Sequence, residues 1–245
     1  MRNLTFYLDG VYLNSNEKLL SVFTPGQQSY RGVFETMRVV NGRVEYLDEH
    51  LFRLLKGLKI LKISCPSSLA AIKRIVSTVV SKNPSIALGR LRLMVFGEQG
   101  QTHTACMVLP YKPFNGRQYR EGLNACVIKT ARPATSRYAS VKSLDYAVFS
   151  NALKRAVSQG YDEAVLLNAK GYVCEASRGN IFILYQDQWL TPPLSSGCLN
   201  GIMRTLVMGQ MDVREKNITP KMLRLADVVV MTNSLAGLIK LVVAP

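Results

Sequence analysis

The stretch from Val141 to Asn180 confines this chain more tightly than any other. It reads VKSLDY, then a helical run, then YDEAVLLNAKGYVCEASRGN. The helix predicted between Leu144 and Gly160 stops at Gly160, where a left-handed residue can end it. Short apolar runs bounded by turn residues come next: Glu163–Leu167, Tyr172–Ala176 and, just past the stretch, Ile181–Tyr185. Such runs read as strands. A lysine, Lys142, therefore stands at the entry to a helix, and a glutamate, Glu175, stands inside an apolar strand ahead of a Ser-Arg-Gly-Asn turn.

Upstream, residues 4–13 alternate around Asp9-Gly10, and a second pair of strand-like runs meets at Asn41-Gly42. Both dipeptides signal tight hairpins. Phe23–Gln28 reads as a loop. Leu51, Leu54, Leu55, Leu58 and Leu61 recur at helical spacing from Asp48 to Ile63, with Asp48 as N-cap. A second helix covers Ser67–Ser81, and strands follow at Gly89–Phe96 and Thr104–Pro110. The polar segment 112–121 marks a linker between a small α+β domain (1–111) and a larger domain (122–245) in which strands dominate.

Composition narrows the function classes. Apolar residues make up 48% of the 245, which is globular rather than disordered. The net charge of +15 could draw nucleic acid, but the basic residues are scattered without a block or interleaved aromatics. A basic surface that attracts small anions is the preferred reading. Two histidines and five cysteines with no C-x-x-C pair supply no metal site and fit free thiols in a reducing compartment. With no apolar stretch of spanning length and no leader-like start, the expectation is a soluble cytoplasmic protein.

An amine and a carboxylate in this arrangement suit a carbonyl cofactor. The lysine can form a Schiff base, and a buried carboxylate can keep a pyridine nitrogen protonated so that the ring accepts electrons. A glycine-opened helix at residues 197–207 adds backbone N–H groups for an anion.

The blocks Lys142-Ser-Leu-Asp-Tyr146, Gly160-Tyr-Asp-Glu-Ala164, Gly171-Tyr-Val-Cys-Glu175 and Asn180-Ile-Phe182 occur in order along the chain. Thr191-Pro-Pro193, Leu199-Asn-Gly-Ile-Met-Arg204 and Thr232-Asn-Ser234 complete the series. Together they resemble the fold-type IV pyridoxal-phosphate enzymes: branched-chain and D-amino-acid aminotransferases and aminodeoxychorismate lyases. The resemblance implies an α+β, two-domain D-amino-acid aminotransferase-like fold, with a β-rich pseudo-barrel as the C-terminal domain. It implies pyridoxal 5′-phosphate as cofactor, Lys142 as the catalytic residue, and a homodimer. Arg53, Tyr146, Glu175, Asn180, Gly201, Ile202, Met203 and Thr232 would hold the cofactor, with Arg53, Thr232 and the Ile202 and Met203 amides around its phosphate. Thr36, Arg38, Arg92 and Asn233 would face the substrate, although Arg38, Arg90 and Arg92 also read simply as basic residues on strands.

The shared motifs do not separate the activities. The Asn200-Gly-Ile-Met-Arg204 string and the short chain resemble the lyases more, so 4-amino-4-deoxychorismate lyase, yielding 4-aminobenzoate and pyruvate, is the first expectation. A class IV aminotransferase acting on branched-chain or D-amino acids is the alternative, and a catalytically silent basic binding protein is the reading from a different class. Three departures from the family pattern stand out: Asp145 for the usual asparagine, Ser29-Tyr-Arg-Gly32, and Gly237–Lys240 without the usual proline. After the last of these the chain stops at Pro245, and the missing tail puts the usual last strand in question.

Overall fold

In a computed structural model, residues 4–14, 31–98, 100–130 and 139–244 are described. The expected loop at Phe23–Gln28 and the Ser29-Tyr30 departure lie outside them. The chain divides into two compact units, Met1–Lys112 with Val141–Tyr146, and Pro113–Ser140 with Ala147–Pro245.

The first unit is built on a six-stranded sheet of order β2-β1-β6-β5-β3-β4. Its strands are β1 (Thr5–Leu8), β2 (Val11–Asn14), β3 (Arg31–Val40), β4 (Arg43–Val44), β5 (Leu88–Glu98) and β6 (Gln101–Pro110). The two tight turns form as the sequence predicts, with Asp9 and Gly10 at φ 45 and 94 and Asn41 and Gly42 at φ 47 and 78. Alternation then assigns the faces. Val33, Met37, Val39, Leu91, Leu93 and Val95 share one core with the apolar stripes of α1 (Leu47–Leu61) and α2 (Leu69–Ser81). Phe34, Met94, Phe96, Ala105 and Met107 point to the other face.

Two expectations need correcting here. Asp48 is not the N-cap of α1. That place belongs to Tyr46, in the left-handed conformation and without a side-chain cap bond, while Asp48 and Glu49 lie in the first turn, where they suit the positive end of the helix dipole. The helix expected from Leu144 begins only at Ala147, because Leu144 and Tyr146 are committed to other bonds: Leu144 N–H donates to the Gly32 carbonyl and Tyr146 N–H to that of Leu144.

The second unit carries an eight-stranded sheet of order β12-β11-β10-β13-β14-β7-β8-β9. Its strands are β7 (Leu123–Lys129), β8 (Glu163–Leu167), β9 (Val173–Ala176), β10 (Asn180–Tyr185), β11 (Gln188–Thr191), β12 (Val213–Glu215), β13 (Val228–Asn233) and β14 (Gly237–Val243). One tight turn joins β9 to β10, although four strands lie between them in the sheet order, so the sheet curls back on itself. Its inner side chains, among them Leu123, Val165, Ile181, Met231 and Ile239, form a single core. Helices α3 (Gly116–Glu121), α4 (Ala147–Ser158), α5 (Ile202–Gln210) and α6 (Pro220–Leu225) complete the unit.

The segment expected as a linker folds as part of this unit. Asn115 and Gln118 form a reciprocal capping box around the start of α3, and the Tyr119 hydroxyl donates to the Ala236 carbonyl. The closing strand questioned above does form. β14 pairs with β13 and β7, its Ile239 and Leu241 buried and its Leu238 and Lys240 exposed, so a period of two serves where the proline is missing.

Candidate active site

In the first unit, Lys142 is placed by backbone pairing. Its carbonyl accepts from Phe34 N–H at 3.0 Å, Ser143 bridges Val33, and Leu144 N–H reaches the Gly32 carbonyl at 2.9 Å. The segment thus extends the sheet beside the half of β3 that β4 leaves uncovered. Gly32 permits the close passage of β3 along β5, since a Cβ there would sit 2.6 Å from Val95 O. The lysine Nζ lies 4.6 Å from the Phe34 ring centroid and 5.6 Å from that of Tyr146. The two rings meet edge to face at 5.5 Å, so the ammonium rests against aromatic faces.

The same sheet face carries Thr36, Arg38, Arg90 and Arg92. Arg92 stands opposite Thr36 in register and Arg90 opposite Arg38; the Nη2 of Arg92 is 3.4 Å from Thr36 Oγ1, and its guanidinium lies 5.1 Å from the Phe34 centroid. Burial, then the charge of Arg90, lowers Arg92 to about 10, while Tyr146 pulls the other way. Arg92 is therefore still a cation at neutral pH. Arg38 makes a half-exposed bidentate pair with Glu45, at 2.6 and 3.1 Å.

Arg53, on α1, meets Glu35, which the alternation of β3 turns toward the helix-covered face. Its Nε and Nη2 donate to the two Glu35 oxygens at 2.8 and 2.6 Å, and His50 Nδ1 lies 2.7 Å from the same carboxylate. Glu35 and His50 are both fully buried. Burial pushes the Glu35 carboxyl up, but the Arg53 guanidinium and His50 outweigh it and hold the group at about 2.

The second unit gathers the other predicted residues. Glu175 is buried in β9, and its Oε2 accepts from Leu199 N–H at 3.3 Å. Asn180 opens β10 opposite Thr232, and its Nδ2 donates to the Leu199 carbonyl at 2.7 Å. A Cβ on Gly201 would strike the Asn180 side-chain oxygen, and one on Gly179 would strike the Thr232 carbonyl, so both glycines are required by close approach. Gly201 is the N-cap residue of α5. No side chain caps that helix start and no acidic residue occupies its first turn, which begins with Ile202 and Met203. The Thr232 hydroxyl is 1% exposed and has no hydrogen-bond partner among the described residues. Asn233 serves the next turn, its Oδ1 accepting from Leu235 and Ala236 N–H.

Three features of this unit fit a phosphorylated pyridine. Uncapped helix amides suit a phosphate, a buried hydroxyl without a protein partner suits a phosphate oxygen, and a buried carboxylate suits a ring N–H. Cys198 is no competing nucleophile: burial pushes its thiol up to about 12, and the Glu175 carboxylate adds to the effect. Among the described residues no cluster of histidine, cysteine and carboxylate side chains could hold a metal ion.

Sequence reasoning passed over two contributors. Leu199 supplies both backbone groups that tie Glu175 to Asn180, and backbone roles leave no side-chain signature. Glu163, fully buried, accepts from Ser177 N–H and hydroxyl and from Arg178 Nε, and so fixes the turn between Glu175 and Asn180. Its signal was a charged residue opening an apolar strand.

Residues 32–242 match the class IV amino-transferase family. A Methanocaldococcus jannaschii protein bearing the name of a branched-chain-amino-acid aminotransferase is 30% identical over 96% of this chain and 86% of its own length. The crystal structure of a branched-chain aminotransferase from Thermoproteus uzoniensis, with norvaline, superposes with a TM-score of 0.87 at 27% identity, over 99% of this chain and 88% of that one. A Legionella pneumophila structure bearing the name of a 4-amino-4-deoxychorismate lyase shares the fold at a TM-score of 0.77 and 22% identity, over 86% and 82% of the two chains. With the family matched over most of its length, this chain belongs to the class IV amino-transferases.

Proposed function

We propose that the protein is a pyridoxal-phosphate-dependent aminotransferase that moves the amino group of a branched-chain amino acid to a 2-oxo acid. The observation that carries this reading is the 30% identity, over nearly the whole chain, with a relative named for that activity. It displaces the lyase expectation, which rests on the Asn200–Arg204 string and the chain length, two features that do not touch the reacting atoms.

Pyridoxal phosphate, when bound, supplies an aldehyde carbon and an electron-accepting ring. Lys142 Nζ supplies the amine that holds it and carries the proton to and from the substrate α-carbon. Glu175, steadied by Leu199 N–H, holds a proton on the pyridine nitrogen. The first amides of α5 and the Thr232 hydroxyl donate to the phosphate. In the first unit, the cationic Arg92 and Thr36 offer donors to a substrate carboxylate.

The test is Lys142→Ala. Borohydride should fix the cofactor to Lys142 in the parent protein, as read by peptide mass spectrometry, and leave it unattached in the variant. Amino transfer from leucine to 2-oxoglutarate should fall by at least about a thousandfold. Release of 4-aminobenzoate from aminodeoxychorismate without amino transfer would return the reading to the lyase, which the Asn200–Arg204 string favours. A parent protein that takes up no cofactor would sink both.

A further inference from the structure

Arg204 lies in the first turn of α5 and is only 3% exposed. This is an unfavourable place for a cation, because the start of a helix is already electropositive. Three bonds hold it there. Its Nη1 donates to Asn200 Oδ1 at 3.3 Å, and its Nη2 donates to the Pro192 carbonyl at 3.1 Å and to Glu215 Oε1. Its Nε is buried without a partner among the described residues. A buried guanidinium that is only partly satisfied weakens a fold unless it holds something else in place.

What it holds is the strand-to-helix connection. Pro192 follows β11, Glu215 ends β12, and Asn200 precedes the glycine at which α5 begins. The Arg204 Cβ would lie 3.6 Å from a Cβ on Gly201. One guanidinium therefore ties two neighbouring strands to the loop whose Leu199 N–H meets Glu175 and whose carbonyl accepts from Asn180.

We infer that Arg204, braced by Glu215, is a positioning residue for the anion-holding turn: it fixes Leu199–Gly201 so that the first amides of α5 stay open to a phosphate. The inference rests on the reading of this unit as a cofactor site and goes beyond it by assigning the device that shapes the site. Arg204 touches no reacting atom, and its positive charge in the same turn adds to the pull on an anion.

The experiment uses the full chain stripped of cofactor, with pyridoxine 5′-phosphate and pyridoxine as probes. Neither carries an aldehyde, so Lys142 cannot attach to them, and the ratio of their affinities isolates the phosphate. Arg204→Met should lower the affinity for pyridoxine 5′-phosphate by about tenfold and leave pyridoxine nearly unchanged. Arg204→Lys should recover part of the loss. Should Arg204→Met fail to fold, Glu215→Gln takes its place, since the Glu215 side chain is 42% exposed and Gln can still accept one bond. It should reduce the ratio by about threefold. Variants that keep the parental ratio overturn the inference alone. A parent protein with no preference for the phosphorylated probe overturns the cofactor reading and this inference with it.

Discussion

Helices α1 and α5 begin in opposite ways. In the first unit, α1 starts with Asp48 and Glu49, and Asp48 pairs with Lys73 of α2. Within the first two turns of the same helix, His50 and Arg53 close around Glu35. In the second unit, α5 starts at a glycine, with no acid and no cap, and with a buried arginine in its first turn. Three other helix starts are closed by a side chain: Ser68 caps α2, Asn115 caps α3 and Thr219 caps α6. A helix that answers its own amides contributes to stability, and one that leaves them open gives up some stability for binding. The contrast between α1 and α5 thus separates groups that hold the fold from groups held ready for an anion.

The sharpest way to break this division is Glu35→Gln. Glu35 sits at about 2 against an ordinary 4.5, so its charge favours the folded state at every pH above its unfolded value. That contribution is complete above about pH 4.5, shrinks as pH falls toward 2, and amounts to on the order of 3 kcal/mol at neutral pH. Urea unfolding at pH 7 should therefore show Glu35→Gln less stable by about that amount, with Arg53 left to bury its charge opposite a neutral amide. The gap should narrow at pH 3. A gap that is constant with pH would mean that the carboxylate is not the source.

How much of this was visible in the sequence follows the range over which each feature is decided. Asp9-Gly10, Asn41-Gly42 and Gly160 announced their turns because a positive φ is a local demand. The open start of α5 was legible only in part: the helix expected over 197–207 begins at Ile202, with Gly201 before it, because Gly197 instead closes the short turn Leu194–Ser196. The conformation around Lys142 was not. The motif named the lysine, but Gly32 and Phe34, far off in sequence, fix its backbone beside β3 and delay α4 to Ala147. Arg53 was visible as a motif residue, whereas its bidentate bond to Glu35 was not, because the pair spans a hairpin. Arg204 and Glu215 were likewise joined only by the fold, and the linker expected at 112–121 gave way to a capping box that pattern reading took for polar loop.

Thr232→Val probes the open side of the comparison. The hydroxyl has no partner among the described residues, so its replacement by a methyl of the same shape should leave the stability of the cofactor-free protein unchanged within about 0.5 kcal/mol. Affinity for pyridoxine 5′-phosphate should nonetheless drop by about fivefold, the worth of one hydrogen bond to an anion. If stability fell instead, with binding intact, the hydroxyl would belong among the closed contacts of the fold.

Ser68→Ala gives the smallest effect and the mirror image of that result. The Ser68 hydroxyl accepts from Ala71 N–H at 3.2 Å at an exposed helix start, so its loss should cost about 1 kcal/mol of unfolding free energy. Affinity for either probe should not move, since α2 answers its own amides and offers nothing to a ligand. The pair of variants then crosses: one loses binding without stability, the other stability without binding. Were both to shift the same quantity, helix starts in this protein would not divide by purpose, and the open turn at Gly201 would be an accident of sequence rather than a site.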